Sequence, residues 1–358
     1  MKYSLMSVML CVVLLAAAVA QGQVDPGTVH GWGWNAHNQC TVPTPNADFV
    51  AISAGGQHSL GLKSDGTVVA WGDNASGQCN VPSPNADFVA VAAGYDHSMG
   101  LKSDGSIVVW GANSSGQCNV PAPNADFVQI SAGFSHSLAL RANGTVAAWG
   151  WSSFGQCNVP SPNADFVAVG AGGGFSAGLK SDGHVVAWGW NDLGQCTVPE
   201  PNEGYVALAT GSGHTLGLRG DGSIVGWGIT TDGQCTVPTP NISFVMISAG
   251  GSHSLGLKDF GMVAAWGANG NGQCDVPSPN ANFVAVAGGA SHSLALEGYW
   301  GDFDADGWVD AADLSLLAGA LNGPQQISGP GSHRFSLDGD WDVDLADFAR
   351  FQAPSTGD

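Results

Sequence analysis

Apolar residues occur along the centre of the chain in short runs, separated by polar and glycine-rich turns. Residues 49–53 form one run, residues 58–63 alternate between polar and apolar, and residues 67–71 form a third run. An Asp-Gly pair between the second and third runs is a hairpin signal, because both residues tolerate positive φ. The pattern predicts three short strands, with a brief fourth strand at residues 79–82 that a proline ends. None of these windows has the 3.6-residue period of a helix.

This pattern repeats every 39 residues. A Trp-Gly pair marks each unit, and a Gln-Cys pair recurs in phase with it. The tryptophans are Trp32, Trp71, Trp110, Trp149, Trp188, Trp227 and Trp266, and the cysteines are Cys40, Cys79, Cys118, Cys157, Cys196, Cys235 and Cys274. Repeated units of three or four strands are typical of a β-propeller.

The repeat begins and ends within a unit. Residues 29–34 match the third strand, and residues 283–297 match the first and second strands. A solenoid would instead need atypical capping units at its ends. We therefore predict an all-β fold over residues 29–298, a seven-bladed β-propeller closed by the N-terminal strand, which removes the open sheet edge.

Composition and charge limit the kinds of partner and the location that we expect for the protein. Only 11% of the 358 residues are charged and the net charge is −20, which disfavours a nucleic acid partner. Residues 1–20 combine Lys2, an apolar run and an Ala-Val-Ala end, as a secretory signal peptide does. We expect a secreted protein, extracellular or on the cell surface, without a membrane span in its mature form.

Residues 299–358 contain eleven aspartates and two arginines. Residues 302–313 place acidic side chains at alternate positions around a glycine at the sixth, which is the arrangement that binds Ca²⁺ in EF-hand-type loops. A short amphipathic helix is predicted to follow at residues 314–321. The expected ligands of this loop are Asp302, Asp304, Asp306, Trp308 at the backbone-carbonyl position, Asp310 and Asp313.

A second acidic loop spans residues 336–347. Its candidate ligands are Asp338, Asp340, Asp342, Asp344 and Asp347. Ser336 replaces the first aspartate and Trp341 stands where the turn needs glycine, so we expect weaker Ca²⁺ binding there.

The pattern over residues 54–78, Ala-Gly-x-x-His-Ser-Leu through Asp-Gly and Trp-Gly to Gly-Gln, resembles the regulator-of-chromosome-condensation repeat. The resemblance covers about residues 29–297 and implies a seven-bladed propeller. The short unit and a Gly-Gln-x-x-Val-Pro run, as at Gly116, Gln117, Val120 and Pro121, look closest to one branch of the family. That branch includes a secreted β-lactamase inhibitor, which binds with loops on one face and has no catalytic activity. Nuclear members exchange guanine nucleotides and bind chromatin, roles that a secretory signal and an acidic chain disfavour.

Residues 299–358 resemble a dockerin, a small α-helical calcium-loop module. The first loop carries the resemblance, since it ends on aspartate as dockerin loops do. The resemblance implies a protein partner, a cohesin-like scaffold.

Two repeated residue types are candidates for chemistry. Seven cysteines remain after residue 20, one in each unit. A disulfide needs Cα atoms within about 7 Å, and equivalent residues of neighbouring blades come that close only near the axis of the ring. We therefore expect free cysteines packed between the blades. Six histidines could line a channel and bind metal, or could satisfy backbone groups at strand starts; we favour the second interpretation because Phe175 takes the fourth place. They are His58, His97, His136, His214, His253 and His292. The aspartates of the Pro-Asn-Ala-Asp segments, such as Asp48, are expected in turns.

A binding site in a repeat protein should appear as a departure from the repeat. The units that contain Trp149 and Trp188, the fourth and fifth counted from Trp32, depart most, and the residues that differ are apolar. We expect Trp151, Phe154, Phe175, Trp190 and Leu193 to form one binding patch, unless they fill a locally different contact between blades.

The sequence thus predicts a non-catalytic secreted binding module, a monomer, that recognises a protein or a glycan and attaches through a Ca²⁺-dependent tail. One alternative is an inhibitor of a secreted enzyme. Another is a polysaccharide-active enzyme with a dockerin tail, although no catalytic constellation stands out. Nucleotide exchange ranks behind both.

Overall fold

The computed structural model describes residues 27–298, and every regular element in that range is a strand. The strands are β1 (Thr28–Gly33), β2 (Phe49–Ala54), β3 (His58–Lys63), β4 (Val68–Gly72), β5 (Phe88–Ala93), β6 (His97–Lys102), β7 (Ile107–Gly111), β8 (Phe127–Ala132), β9 (His136–Arg141), β10 (Val146–Gly150), β11 (Phe166–Ala171), β12 (Phe175–Lys180), β13 (Val185–Gly189), β14 (Tyr205–Thr210), β15 (His214–Arg219), β16 (Ile224–Gly228), β17 (Phe244–Ala249), β18 (His253–Lys258), β19 (Val263–Gly267), β20 (Phe283–Gly288) and β21 (His292–Glu297).

The strands form seven antiparallel sheets of three strands, which are the blades of a propeller. Blades 1 to 6 each use three consecutive strands, from β2-β3-β4 to β17-β18-β19. Blade 7 has the order β1-β21-β20, with Val29 opposite Leu296 and Trp32 opposite Ser293. The predicted all-β class and seven blades are confirmed, and so are the first three strands of each unit.

The prediction of a fourth strand at residues 79–82 is wrong. The backbone there forms turns, because its amides bond locally: Asn80 N to Gly77 O at 3.0 Å, and Val81 N to Cys79 O at 3.1 Å. The Cys79 amide is taken by the side chain of Asn74 at 2.9 Å. No amide of the segment remains to pair with β4.

The core lies between neighbouring blades. Leu60 and Leu62 of β3 pack with Phe88 and Trp110 of blade 2 in one buried cluster. The Trp110 indole donates to the backbone carbonyl of Gln78 at 2.9 Å, so its only polar atom is satisfied inside the core. The other six repeat tryptophans make the same bond in their own blades.

A ring of backbone hydrogen bonds surrounds one mouth of the axial channel, whose volume is about 320 Å³. In each bond, the residue after a loop glycine donates to the corresponding glycine of a neighbouring blade. The seven donor–acceptor pairs are Gly56–Gly94, Tyr95–Gly133, Phe134–Gly172, Gly173–Gly211, Ser212–Gly250, Gly251–Gly289 and Ala290–Gly55. The last pair joins blade 7 to blade 1.

Several predictions concern residues outside this range. The signal peptide of residues 1–20, the helix and both calcium loops of residues 299–358 lie outside the described residues. Within residues 27–298, no helix is long and apolar enough to cross a membrane.

Candidate binding face

Two sets of loops share one face of the propeller, here called the upper face. They are the loops between the first and second strands of each blade and the loops that follow the third strands. Backbone bonds hold them together, for example Trp151 N to Ser135 O at 2.8 Å and Trp190 N to Gly174 O at 2.9 Å. The Asp-Gly hairpins lie at the opposite ends of the strands, on the lower face.

The structure brings four of the five predicted patch residues to the upper face. The rings of Trp151 and Phe154 meet edge to face at 5.2 Å, and Phe154 stacks on Trp190 at 6.0 Å with an angle of 30° between the ring planes. Phe154 is 49% exposed and Leu193 37%, while both tryptophans are half-buried. These four side chains are called the aromatic cluster.

Two glycines form the floor of this region. A Cβ on Gly174 would lie 3.3 Å from Cδ2 of Phe154 and 3.5 Å from Cβ of Trp190. A Cβ on Gly213 would lie 3.2 Å from Leu193 Cδ1 and 3.2 Å from Ile229 Cγ2. The five other blades have Gln57, Asp96, Ser135, Ser252 and Ser291 at this position. Glycine thus occurs only where apolar side chains cover the loop.

Three residues of this face escaped the sequence analysis. Ile229 borders Leu193, although it looks like an ordinary member of the repeat. Tyr95 and Phe134 stack at 4.2 Å beside the channel mouth. The signal for this pair was present, since glycine, serine or alanine takes their place in the other units.

The prediction that Phe175 belongs to the exposed patch is wrong. Phe175 is fully buried, because it occupies the position from which histidine points toward the neighbouring blade. Thr215 stands in blade 5 at the position where the other blades have serine, and its hydroxyl donates to Gln195 O at 3.1 Å. This junction between blades 4 and 5 therefore has no histidine bond.

The six histidines join neighbouring blades. Nε2 of His136 lies 3.1 Å from the Ser176 hydroxyl, which itself donates to the Gln156 carbonyl at 2.8 Å. Since that hydroxyl proton is used, the imidazole donates. Our interpretation of these residues as hydrogen-bonding groups holds, but the partner is a serine of the next blade instead of the backbone. The equivalent bonds are His58–Ser98, His97–Ser137, His214–Ser254, His253–Ser293 and His292–Ser59.

Burial keeps these imidazoles neutral. Desolvation lowers the pKa of His136 to about 3, with a smaller contribution from His97. It likewise lowers the pKa of His97 to about 4. Across residues 27–298, no three His, Cys, Asp or Glu side chains converge as a metal site.

The seven cysteines in the described range are free. They are half-buried, and each packs within its own loop instead of between blades: the Cys79 thiol lies 3.1 Å from the Asp73 carbonyl. Burial raises the pKa of Cys79 to about 11, with a smaller effect from Asp73. These thiols are poor nucleophiles at neutral pH.

The aspartates of the Pro-Asn-Ala-Asp segments are turn residues, as predicted. Asp48 and Asp126 have φ of 65° and 62°, and the Asp48 carbonyl accepts from Ser64 N at 2.9 Å. A residue missed by sequence reasoning precedes them. The Asn46 amide accepts from Val29 N at 2.8 Å and donates to Val29 O at 2.9 Å, so it pairs with β1 as a neighbouring strand would.

The regulator of chromosome condensation (RCC1) repeat model matches residues 49–78, 88–117, 127–156, 166–195, 205–234 and 244–273. Among solved structures, Prp20p from Saccharomyces cerevisiae is 17% identical with a TM-score of 0.66, covering 86% of this chain and 98% of its own. Human WBSCR16 is 19% identical with a TM-score of 0.61, covering 77% and 99%. A comparison with curated proteins gives no match.

The ectodomain of the receptor kinase ACR4 from Arabidopsis thaliana is 23% identical with a TM-score of 0.55, covering 67% of this chain and 89% of its own. At these identities the likeness concerns the fold. The repeat model adds sequence evidence, because its six matches make up half of the chain. The chain therefore belongs to the RCC1 repeat family.

Proposed function

We propose that this protein is a secreted, non-catalytic binding module that recognises a protein partner through the aromatic cluster on its upper face. The observation that carries the proposal is that Phe154 and Trp190 lie against Gly174, and Leu193 against Gly213, the two glycines of the floor. The side chains are seated on backbone and remain partly exposed, so they offer apolar area with little conformational freedom left to lose.

Aromatic side chains in contact with one another are the usual anchors of protein interfaces. Phe154 and Leu193 are the most exposed of the four, and the rings of Trp151 and Trp190 both contact the ring of Phe154. A glycan could also stack on such rings, and is the second ligand class to be tested. Prp20p is described with its binding to Gsp1p and histones, and that likeness supports only a propeller capable of binding proteins.

The test is a pull-down from the extracellular fraction of the source organism. We expect Trp151→Ala/Phe154→Ala to lose at least about tenfold in affinity for the captured protein, as loss of an aromatic anchor does. Phe260→Ala, an exposed aromatic on the lower face, is the matched control and should bind normally. Equal binding by both variants contradicts the proposal, and capture of glycan alone changes the ligand class.

Attachment through residues 299–358 is the second part of the proposal, supported by the acidic loop at residues 302–313. Calorimetric titration of the full chain with Ca²⁺ should show binding that Asp304→Asn weakens. A scaffold partner captured with Ca²⁺ and released by chelator would support docking through this segment. If chelator releases none of the captured proteins, docking through residues 299–358 is contradicted.

Each of the two alternative functions, enzyme inhibitor and polysaccharide-active enzyme, has a direct test. Inhibition of a secreted hydrolase by the pure protein would make the aromatic cluster an inhibitory surface. Turnover of any member of a polysaccharide panel would overturn the non-catalytic assignment. The aromatic cluster contains no acid pair, and its one charged neighbour in sequence is Asp192.

A further inference from the structure

Blade 6 exposes three large apolar side chains near its hairpin on the lower face. Phe260 is 79% exposed, Ile242 56% and Met262 49%. They are called the blade-6 patch. Lys258 links them, since its amine lies 3.2 Å from the Ile242 carbonyl and its amide bonds to the Met262 carbonyl at 2.9 Å.

The patch results from a paired departure from the repeat. In blade 1, the Asp65 carboxylate accepts from the amide and the hydroxyl of Thr67, at 2.9 and 2.7 Å, and so closes the hairpin. In blade 6, Phe260 and Met262 take these two positions, so the turn loses the bond and exposes apolar surface instead. Ile242 likewise replaces the alanine found at the position of Ala47.

The described chain ends beside this patch. The amide of Gly298 donates to the Asn282 carbonyl at 2.9 Å. A Cβ on Gly261, the residue between Phe260 and Met262, would lie 3.0 Å from the Asn282 nitrogen. Gly298 and the blade-6 hairpin therefore both lie next to Asn282.

The chain that continues from Gly298 suits such a surface. Sixty residues follow, 299–358, and the first five include Tyr299, Trp300 and Phe303. An extended residue spans about 3.3 Å, so very few residues are needed to reach the hairpin. A tethered segment also acts at a high effective concentration, which a small patch requires.

We propose that the blade-6 patch is the docking surface for the beginning of residues 299–358 of the same chain, with aromatic side chains after Gly298 covering Phe260 and Met262. Three side chains offer much less than the roughly 800 Å² per partner of a stable interface, which argues against a second copy. Docking would hold the acidic segment against the lower face, away from the aromatic cluster.

The experiment is hydrogen exchange followed by mass spectrometry on the full chain at fixed Ca²⁺ concentration. The variant Phe260→Asp/Met262→Thr restores the usual turn residues, so it should fold, and Ile242→Ala leaves the turn unchanged. We expect both to speed exchange in residues 299–310, the double variant by about tenfold or more. Phe134→Ser, which removes an exposed aromatic from the upper face, should leave this exchange unchanged.

Equal exchange in the wild type and the double variant overturns the proposal. Protection that depends on protein concentration, with a dimer in sedimentation that the double variant abolishes, assigns the patch to a second copy and overturns it too. Because the pull-down above probes the upper face, either proposal can fail without the other.

Discussion

Nε2 of His58 in blade 1 lies 2.9 Å from the hydroxyl of Ser98 in blade 2. Ser98 donates in turn to the Gln78 carbonyl at 2.8 Å, in the loop that connects the two blades. One buried hydrogen-bonded chain therefore ties a strand, a loop and a neighbouring blade. Six of the seven blade junctions have this chain, so it should contribute to stability as a set of equivalent bonds.

Replacing His97 by phenylalanine should lower the free energy of unfolding by about 1 kcal/mol, the value of one buried hydrogen bond. Phe175 shows that the ring fits at this position of the repeat. The Ser137 hydroxyl keeps its bond to the Gln117 carbonyl at 3.0 Å, so no donor is left unpaired. Urea unfolding measures the change, and His184→Phe on the exposed hairpin is the control. Equal stability of both variants contradicts this role.

The same histidines predict how stability depends on pH. In the unfolded chain they bind protons below their ordinary pKa of 6.5, whereas burial keeps the folded pKa at about 4 for His97 and about 3 for His292. The unfolded state therefore binds more protons between these values. The free energy of unfolding should fall as pH drops from 6.5 toward 4, before most carboxylates, with an ordinary pKa of about 4, are protonated.

Urea unfolding at a series of pH values measures this slope. His97→Phe removes one of the six groups and should reduce the slope between pH 6 and 5, while Phe260→Ala, which removes no titratable group, should not. A wild-type stability that stays constant down to pH 4.5 would show that the imidazoles are already protonated when folded.

The repeat made the strands and the number of blades predictable, because alternation, the Asp-Gly pair and the 39-residue interval are local or periodic signals. The histidine bond is different. His136 meets Ser176, 40 residues later, so the partner lies one residue past the repeat interval and becomes visible only in the ring. For the same reason, the sequence does not show that Phe175 in place of histidine and Thr215 in place of serine are changes at one blade junction.

The candidate site was predictable only in part. Departures from the repeat located Trp151, Phe154, Trp190 and Leu193, but a pattern does not tell whether a side chain points outward or inward. Phe175 departs as clearly as the others and is buried. The absence of the fourth strand also depends on a contact that a pattern does not show. The Asn74 side chain accepts a hydrogen bond from a backbone amide that the strand would have needed.

Asn46 should matter most for β1, the first strand of the described residues. Its amide makes two hydrogen bonds to Val29, and β1 pairs with β21, a strand far from it along the chain. Asn46→Ala should cost about 1 kcal/mol and speed amide exchange in residues 28–33. Asn280→Ala removes the same pair of bonds from Val263 of β19, an internal strand, and is the matched control. It should lower stability similarly without affecting β1; equal β1 exchange in both variants contradicts the role.

Gly174→Ser restores the residue type that blades 3, 6 and 7 have at this position, and it tests whether the glycine floor shapes the aromatic cluster. The added Cβ would stand 3.3 Å from the Phe154 ring, closer than an ordinary contact, so the ring must move by a few tenths of an ångström. Phe154 is half-exposed and can move outward, which should keep the loss of stability below about 1 kcal/mol. The stacking of Phe154 on Trp190 should weaken, changing tryptophan fluorescence and near-ultraviolet dichroism.

Partner binding should fall with these spectral changes while the melting temperature stays nearly constant. Ser252→Ala, at the equivalent position of blade 6, changes neither the floor nor the cluster and is the control. If Gly174→Ser keeps the wild-type spectrum and affinity, the glycine at this position reflects no requirement of the cluster. A loss of affinity with the fold intact would mean that the seating of the rings on the backbone, beyond their mere presence, determines recognition.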